Sequence, residues 1–240
     1  MSNVELIQFT DEQALAKAAA EQWLEELEAR SRLHPVPYGV GLSGGRIARH
    51  FFESVARLAS PDPDRWRSVH FFWSDERCVP PDDAESNFGI ARDLLLAPLR
   101  IPEGQIHRVC GEEPPAIAAT HAATELLGIA PVDGSGQPVL DLIFLGMGED
   151  GHIASLFPGE SEEVMANNAA YRPVTATKPP PQRVTMGYAT IAAARQTWVL
   201  ASGAGKEAAL RESLRPGGHT PLARILRLRR LTRIFTNILK

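Results

Sequence analysis

The 240-residue chain is predicted to be an α/β protein built on a mostly parallel sheet. Short apolar runs alternate along it with segments of helical pattern, which favours βαβ units. One of the runs stops at glycines, and acids beside an imidazole follow at once. The central run, Leu140 to Leu145, is apolar throughout rather than alternating, as in a strand covered on both faces. A hydrophobic content of 44% is enough for a sizeable core, and the length suits one α/β domain over residues 1–240.

The elements follow in order. Thr10-Asp11 can cap a helix over roughly residues 11–32, rich in Ala, Leu and Glu and ended by Pro35 and Pro37. Tyr38 to Leu42 reads as a strand, Ile47 to Leu58 as a helix, Val69 to Trp73 as a second strand and Phe88 to Leu96 as another helix. Pro114 to Leu127 is a helix with proline in its first turn, and Asp133 to Pro138 is a loop before the central strand. Lys178-Pro-Pro-Pro181 favours an extended segment, because strand-like sequence resumes directly after it. Trp198 to Ala201 and Leu231 to Phe235 read as late strands, with a helix over Lys206 to Leu214 after the first of them. Tyr188, Trp73 and Trp198 sit in apolar runs and belong to the core.

The most informative stretch follows the central strand: Gly146-Met-Gly-Glu-Asp-Gly-His152. Ligands in open α/β sheets bind beyond the carboxyl ends of strands, so Glu149, Asp150 and His152 stand where chemistry is expected. An imidazole beside a carboxylate is the usual composition of a general base.

That stretch, continued as Ile153-Ala-Ser-Leu-Phe-Pro-Gly159, resembles the 6-phosphogluconolactonases, which read Gly-Met-Gly-x-Asp-Gly-His-Thr-Ala-Ser-Leu-Phe-Pro-Gly. Only Ile153 departs. Asp75-Glu-Arg77-Cys-Val-Pro80, followed by Ser86-Asn87, is similar to the family's second block. Lys178 to Thr185 and Gly203-Ala-Gly-Lys206 are similar to its Arg-x-Thr and Gly-x-x-Lys positions. The resemblance runs from about residue 40 to the end. It implies a three-layer αβα, Rossmann-like sheet of the glucosamine-6-phosphate deaminase/ribose-5-phosphate isomerase type. It also implies hydrolysis of a phosphosugar lactone, 6-phosphoglucono-δ-lactone, in the pentose phosphate pathway, with His152 as general base. Asp150 or Glu149 would orient the imidazole, Asp75 would meet a substrate hydroxyl, and Arg77, Arg183 and Lys206 would surround the phosphate. Two other readings stay open. One is an amino-sugar phosphate deaminase or isomerase, which shares Asp-Gly-His and an Ile after it, but reads Asp-Glu-Tyr where Asp75-Glu-Arg77 stands here. The other is a phosphosugar-binding protein with weak catalysis.

The second reading is motivated by the first strand's end. Gly41-Leu-Ser43-Gly44-Gly45 precedes a helix, so its N–H groups can hold an anion. The same residues fit the Gly-x-Ser-x-Gly elbow of serine hydrolases, with Asp150 and His219 in the required order, although no upstream oxyanion segment accompanies it. The related enzymes continue Ser-Gly-Gly-Ser-Thr-Pro, whereas here Ser43-Gly-Gly is followed by Arg46-Ile-Ala48. Either the Arg46 guanidinium takes over from the lost hydroxyls, or it points to solvent and the site is impaired.

No cofactor is expected. Asp75, Glu76, Asp150 and His152 include one imidazole and no i,i+4 His pair, so no metal is expected either. With 25 basic against 29 acidic residues, nothing global suggests a nucleic-acid partner, and the run Arg224, Arg227, Arg229, Arg230, Arg233 reads as a solvated face. Cys78 and Cys110 are too few for a disulfide framework. Without a signal-like start or membrane-length apolar segment, a cytoplasmic protein is expected.

Overall fold

A computed structural model of the chain describes residues 4–31, 37–59 and 63–239. It opens with strand β1 (Val4–Gln8) and helix α1 (Glu12–Ser31), followed by β2 (Tyr38–Leu42), α2 (Arg46–Leu58) and the short α3 (Pro63–Trp66). Next come β3 (Val69–Trp73), β4 (Asp75–Arg77) and α4 (Asn87–Ala91), which runs on as a π-helical turn over Arg92–Leu96. The rest comprises α5 (Pro115–Ile129), β5 (Leu142–Gly146), α6 (Glu162–Met165), β6 (Tyr171–Thr175), β7 (Gln182–Met186), α7 (Tyr188–Ala193), β8 (Gln196–Ala201), α8 (Glu207–Leu214), α9 (Pro221–Leu228) and β9 (Thr232–Thr236).

Six strands form one sheet in the order β1-β9-β8-β5-β2-β3, every pair parallel, with helices flanking it. The α/β class and mostly parallel sheet are therefore as expected. β2 lies between β3 and β5, so the chain leaves it for β3 on one side and reaches β5 on the other. That is a topological switch point, where the loops beyond neighbouring strand ends diverge and leave a crevice.

β2, β3 and β5 are buried along nearly their whole length, as their apolar sequences require. Phe144 of β5 packs its ring within 4.5 Å of Phe51 on α2, 5.2 Å of Trp23 on α1 and 5.6 Å of Trp198 on β8, joining helices to sheet. Trp73, Trp198 and Tyr188 are buried as anticipated. Asp11 caps α1 by accepting from Ala14 N at 2.8 Å. The proposed stop at Pro35 lies outside the described residues.

Two expectations need correction. Lys178 to Pro181 is not an extended segment: it is the turn between β6 and β7, closed by Ala176 N donating to Pro181 O at 2.7 Å. That hairpin continues into β4 as a separate antiparallel sheet, β4-β7-β6, which local sequence did not reveal. The basic run is a solvated face only in part, with Arg227 and Arg230 exposed. Arg229 is buried and donates to the carbonyls of Ile191, Ala192 and Ala194, while Arg233 bridges Glu5 and Glu26 and Arg224 lies over the Tyr188 ring. No described helix is long and apolar enough to cross a membrane.

Candidate active site

The carboxyl ends of β2, β3 and β5 open onto a cavity of about 200 Å³. Ser43, Gly44, Gly45 and Arg46 enter it from the β2–α2 turn, Asp75 and Arg77 from β4, His152 from the loop after β5, Arg183 from β7 and Lys206 from the start of α8. Nine of the ten residues singled out in the sequence thus line one space. The tenth, Asp150, stands behind His152.

Asp150 Oδ1 lies 2.5 Å from His152 Nδ1 and accepts from the His152 backbone N–H at 3.1 Å. Burial pushes the Asp150 pKa up, but the hydrogen bonds from the His152 backbone and ring outweigh it and hold the carboxyl below its usual range. Asp150 is therefore the carboxylate that meets the imidazole, at Nδ1, and its contact leaves Nε2 uninvolved. Glu149 points elsewhere, towards Gly205 and Lys206. The ring folds back over Gly148, where any Cβ would collide with it, so glycine is required there for this placement.

Asp75 is buried, with Oδ2 accepting from Ser155 Oγ at 2.7 Å. Asn87 Nδ2 donates to the Asp75 carbonyl at 2.9 Å and lies 3.4 Å from Oδ1. Asn87 lines the cavity and was missed as a site residue, although the Ser86-Asn87 pair marked its segment. Ala154, also on the wall, adopts φ 47° and so turns the chain to deliver Ser155 to Asp75. No local signal could have found that, since alanine rarely adopts this conformation. Glu76 faces away: it accepts from the backbone N–H groups of Arg77, Asn87 and Phe88, and burial, opposed by those donors, pushes its pKa up to about 7. It anchors the start of α4. Among the described residues no three His, Cys, Asp or Glu side chains group as a metal site.

Four cations share the cavity with one carboxylate, Asp75. Burial, then the nearby Arg77 charge, depresses the Arg183 pKa; burial, then Arg46, depresses that of Lys206. Both cations are thus partly desolvated and set beside another cation, an environment that a bound anion would favour. Gly45, at φ 97°, turns the chain into α2, whose first turn has no side-chain cap, so its N–H groups add to the positive field.

Ser43 is not arranged as a nucleophile. Its Oγ lies 2.5 Å from Ser74 Oγ and donates to Phe144 O at 3.0 Å, whereas His219 lies in a different cavity beside Phe157 and Tyr188. A fluorophosphonate probe is expected to leave Ser43 unlabelled by mass spectrometry; stoichiometric labelling would restore the covalent elbow.

The sequence and fold place this chain among known proteins. A family model described as glucosamine-6-phosphate isomerases/6-phosphogluconolactonase matches residues 10–233. A 6-phosphogluconolactonase from Treponema pallidum is 40% identical over 147 residues, spanning 61% of this chain and 60% of that protein. The Homo sapiens 6-phosphogluconolactonase is 38% identical over 195 residues, 77% of this chain and 71% of that one. The solved 6-phosphogluconolactonase of Trypanosoma cruzi superposes with a TM-score of 0.82 at 28% identity, covering 98% of this chain and 96% of that one. With that span matched, and a relative this similar over most of both lengths, the chain belongs to the glucosamine-6-phosphate isomerase/6-phosphogluconolactonase family.

Proposed function

We propose that this protein hydrolyses 6-phosphoglucono-δ-lactone to 6-phosphogluconate, as a cytoplasmic step of the pentose phosphate pathway. The observation that carries the reading is the Asp150–His152 pair at 2.5 Å, presented to the same cavity as Arg46, Arg77, Arg183 and Lys206. The relatives named as 6-phosphogluconolactonases support the same substrate. A phosphodianion suits the cationic wall, and the lactone then lies towards His152. His152 Nε2 takes a proton from water, the oxygen of which attacks the lactone carbonyl. Collapse of the tetrahedral intermediate breaks the ring C–O bond, and the proton passes from His152 to the departing ring oxygen. The negative charge on the intermediate is met by cavity N–H groups and cations. Asp75, held by Ser155 and Asn87, is placed to accept from a sugar hydroxyl.

Arg46 replaces the hydroxyls that the related enzymes carry. Arg46→Ala is expected to weaken 6-phosphogluconate binding by roughly 1.5 to 3 kcal/mol, the range for hydrogen bonds to charged groups, and to leave gluconate binding nearly unchanged. Calorimetric titration of both ligands checks this; equal affinities of wild type and variant for the phosphorylated ligand would place Arg46 in solvent. The reaction itself is tested by proton release from lactone generated in situ against a matched blank. Absent turnover with retained 6-phosphogluconate binding would favour a binding protein, and ammonia release from glucosamine-6-phosphate would favour a deaminase.

A further inference from the structure

Arg46 has a long side chain that is 66% exposed, so its use as a phosphate ligand requires something to hold it in place. We propose that Glu12, at the start of α1, is the positioning residue that aims Arg46 at the phosphate. This rests on the cavity being the phosphosugar site. Glu12 is itself anchored from two elements: Oε2 accepts from Ser202 Oγ, just beyond β8, at 3.3 Å, and Oε1 lies 3.5 Å from His50 Nε2 on α2. His50 is in turn 3.1 Å from Gln13 Nε2 through its Nδ1 and 3.9 Å from Glu53.

The pairing with Arg46 runs through one particular atom. Glu12 Oε2 stands 3.7 Å from Nε and leaves both Nη groups for a ligand. One of these, Nη2, lies against Gly203, where a Cβ would collide with it. The guanidinium is thereby laid across the Gly203-to-Lys206 turn, close enough for its charge to act on the Lys206 ammonium. Its two-pronged end and Lys206 thus face one anion, as a bidentate grip on phosphate requires. A carboxylate that merely competed with phosphate would be expected to occupy the Nη groups instead. Holding the guanidinium beforehand removes part of the ordering cost from ligand binding.

The two roles predict opposite signs. Loss of a nearby negative charge alone tightens anion binding, whereas loss of the post that aims Arg46 weakens it. Titration calorimetry with 6-phosphogluconate and gluconate, on wild type, Glu12→Gln, Arg46→Ala and the double variant, separates them. Glu12→Gln is expected to weaken 6-phosphogluconate binding about three- to tenfold, to spare gluconate, and to add nothing once Arg46 is alanine, the signature of two residues acting as a unit. In lactonase assays the loss appears in KM rather than kcat. Tighter binding by Glu12→Gln, or the same loss with and without Arg46, would overturn the role of Glu12 while leaving the phosphate site standing. Should wild type fail to prefer the phosphorylated ligand, or Arg46→Ala leave that preference intact, the phosphate reading falls and the role of Glu12 with it.

Discussion

On the proposed function, His152→Ala is expected to lower lactonase turnover by about 10²- to 10⁴-fold, the usual contribution of a general base, and to leave 6-phosphogluconate affinity nearly unchanged. The split follows from the geometry. His152 faces the cavity with Nε2 while Asp150 holds Nδ1, and the cations that suit phosphate come from β4, β7 and the starts of α2 and α8. On the proposed roles, removing the imidazole takes away proton transfer and spares the phosphate contacts. Initial rates corrected for spontaneous lactone hydrolysis, together with calorimetry, measure both quantities. Unchanged turnover would end the base assignment, and a parallel loss of affinity would show that the ring binds substrate rather than water.

Asp150→Asn is the second large effect, with kcat expected to fall about 10²-fold or more, as when the carboxylate behind a catalytic imidazole is made neutral. An asparagine is nearly isosteric, so the loop can keep its shape. What disappears is the anion that stabilises the imidazolium as it takes the proton. A variant with wild-type rate would assign the orienting role to another group. The native carboxyl has its pKa depressed in the folded state, so it contributes stability above the ordinary carboxylate range near 3.8 that is lost only as pH falls through the lower folded value. Asp150→Asn lacks that contribution at neutral pH, which denaturant titration at pH 7 and pH 3 can read as a difference that shrinks in acid.

Much of the site was legible because its residues sit in short contiguous blocks beyond buried strands. The apolar runs at 38–42 and 69–73 became β2 and β3 with the expected ends, and that at 140–145 became β5, Leu142–Gly146. A strand buried on both faces leaves a strong local signal. The edge strand β1 does not: Val4–Gln8 is half exposed, pairs only with β9, and carries little pattern of its own. β4 was likewise hidden, since Asp75-Glu-Arg77 reads as a polar loop and becomes a strand only because β7 is there to pair with it. The polyproline turn was misjudged for the same reason. Its extended bias was local, while the hairpin it closes depends on two strands finding each other.

Residue types and their order therefore determined the fold class, the parallel strands β2, β3 and β5 beneath the site and nine of the groups around it. They pointed to the family as well, because Gly146 to Gly159, but for Ile153, and Asp75 to Pro80 match its pattern in contiguous blocks. The tertiary structure alone decided between chemically equivalent choices. Asp150 rather than Glu149 meets the imidazole, Glu76 turns inward while Asp75 faces the cavity, His219 stands apart from Ser43, and Arg46 comes to rest between Glu12 and Gly203. Adjacent carboxylates have the same chemistry in sequence. Only the direction of each side chain, set by backbone turns and by partners as many as 80 residues away or more, separates their roles, and composition carries no record of direction.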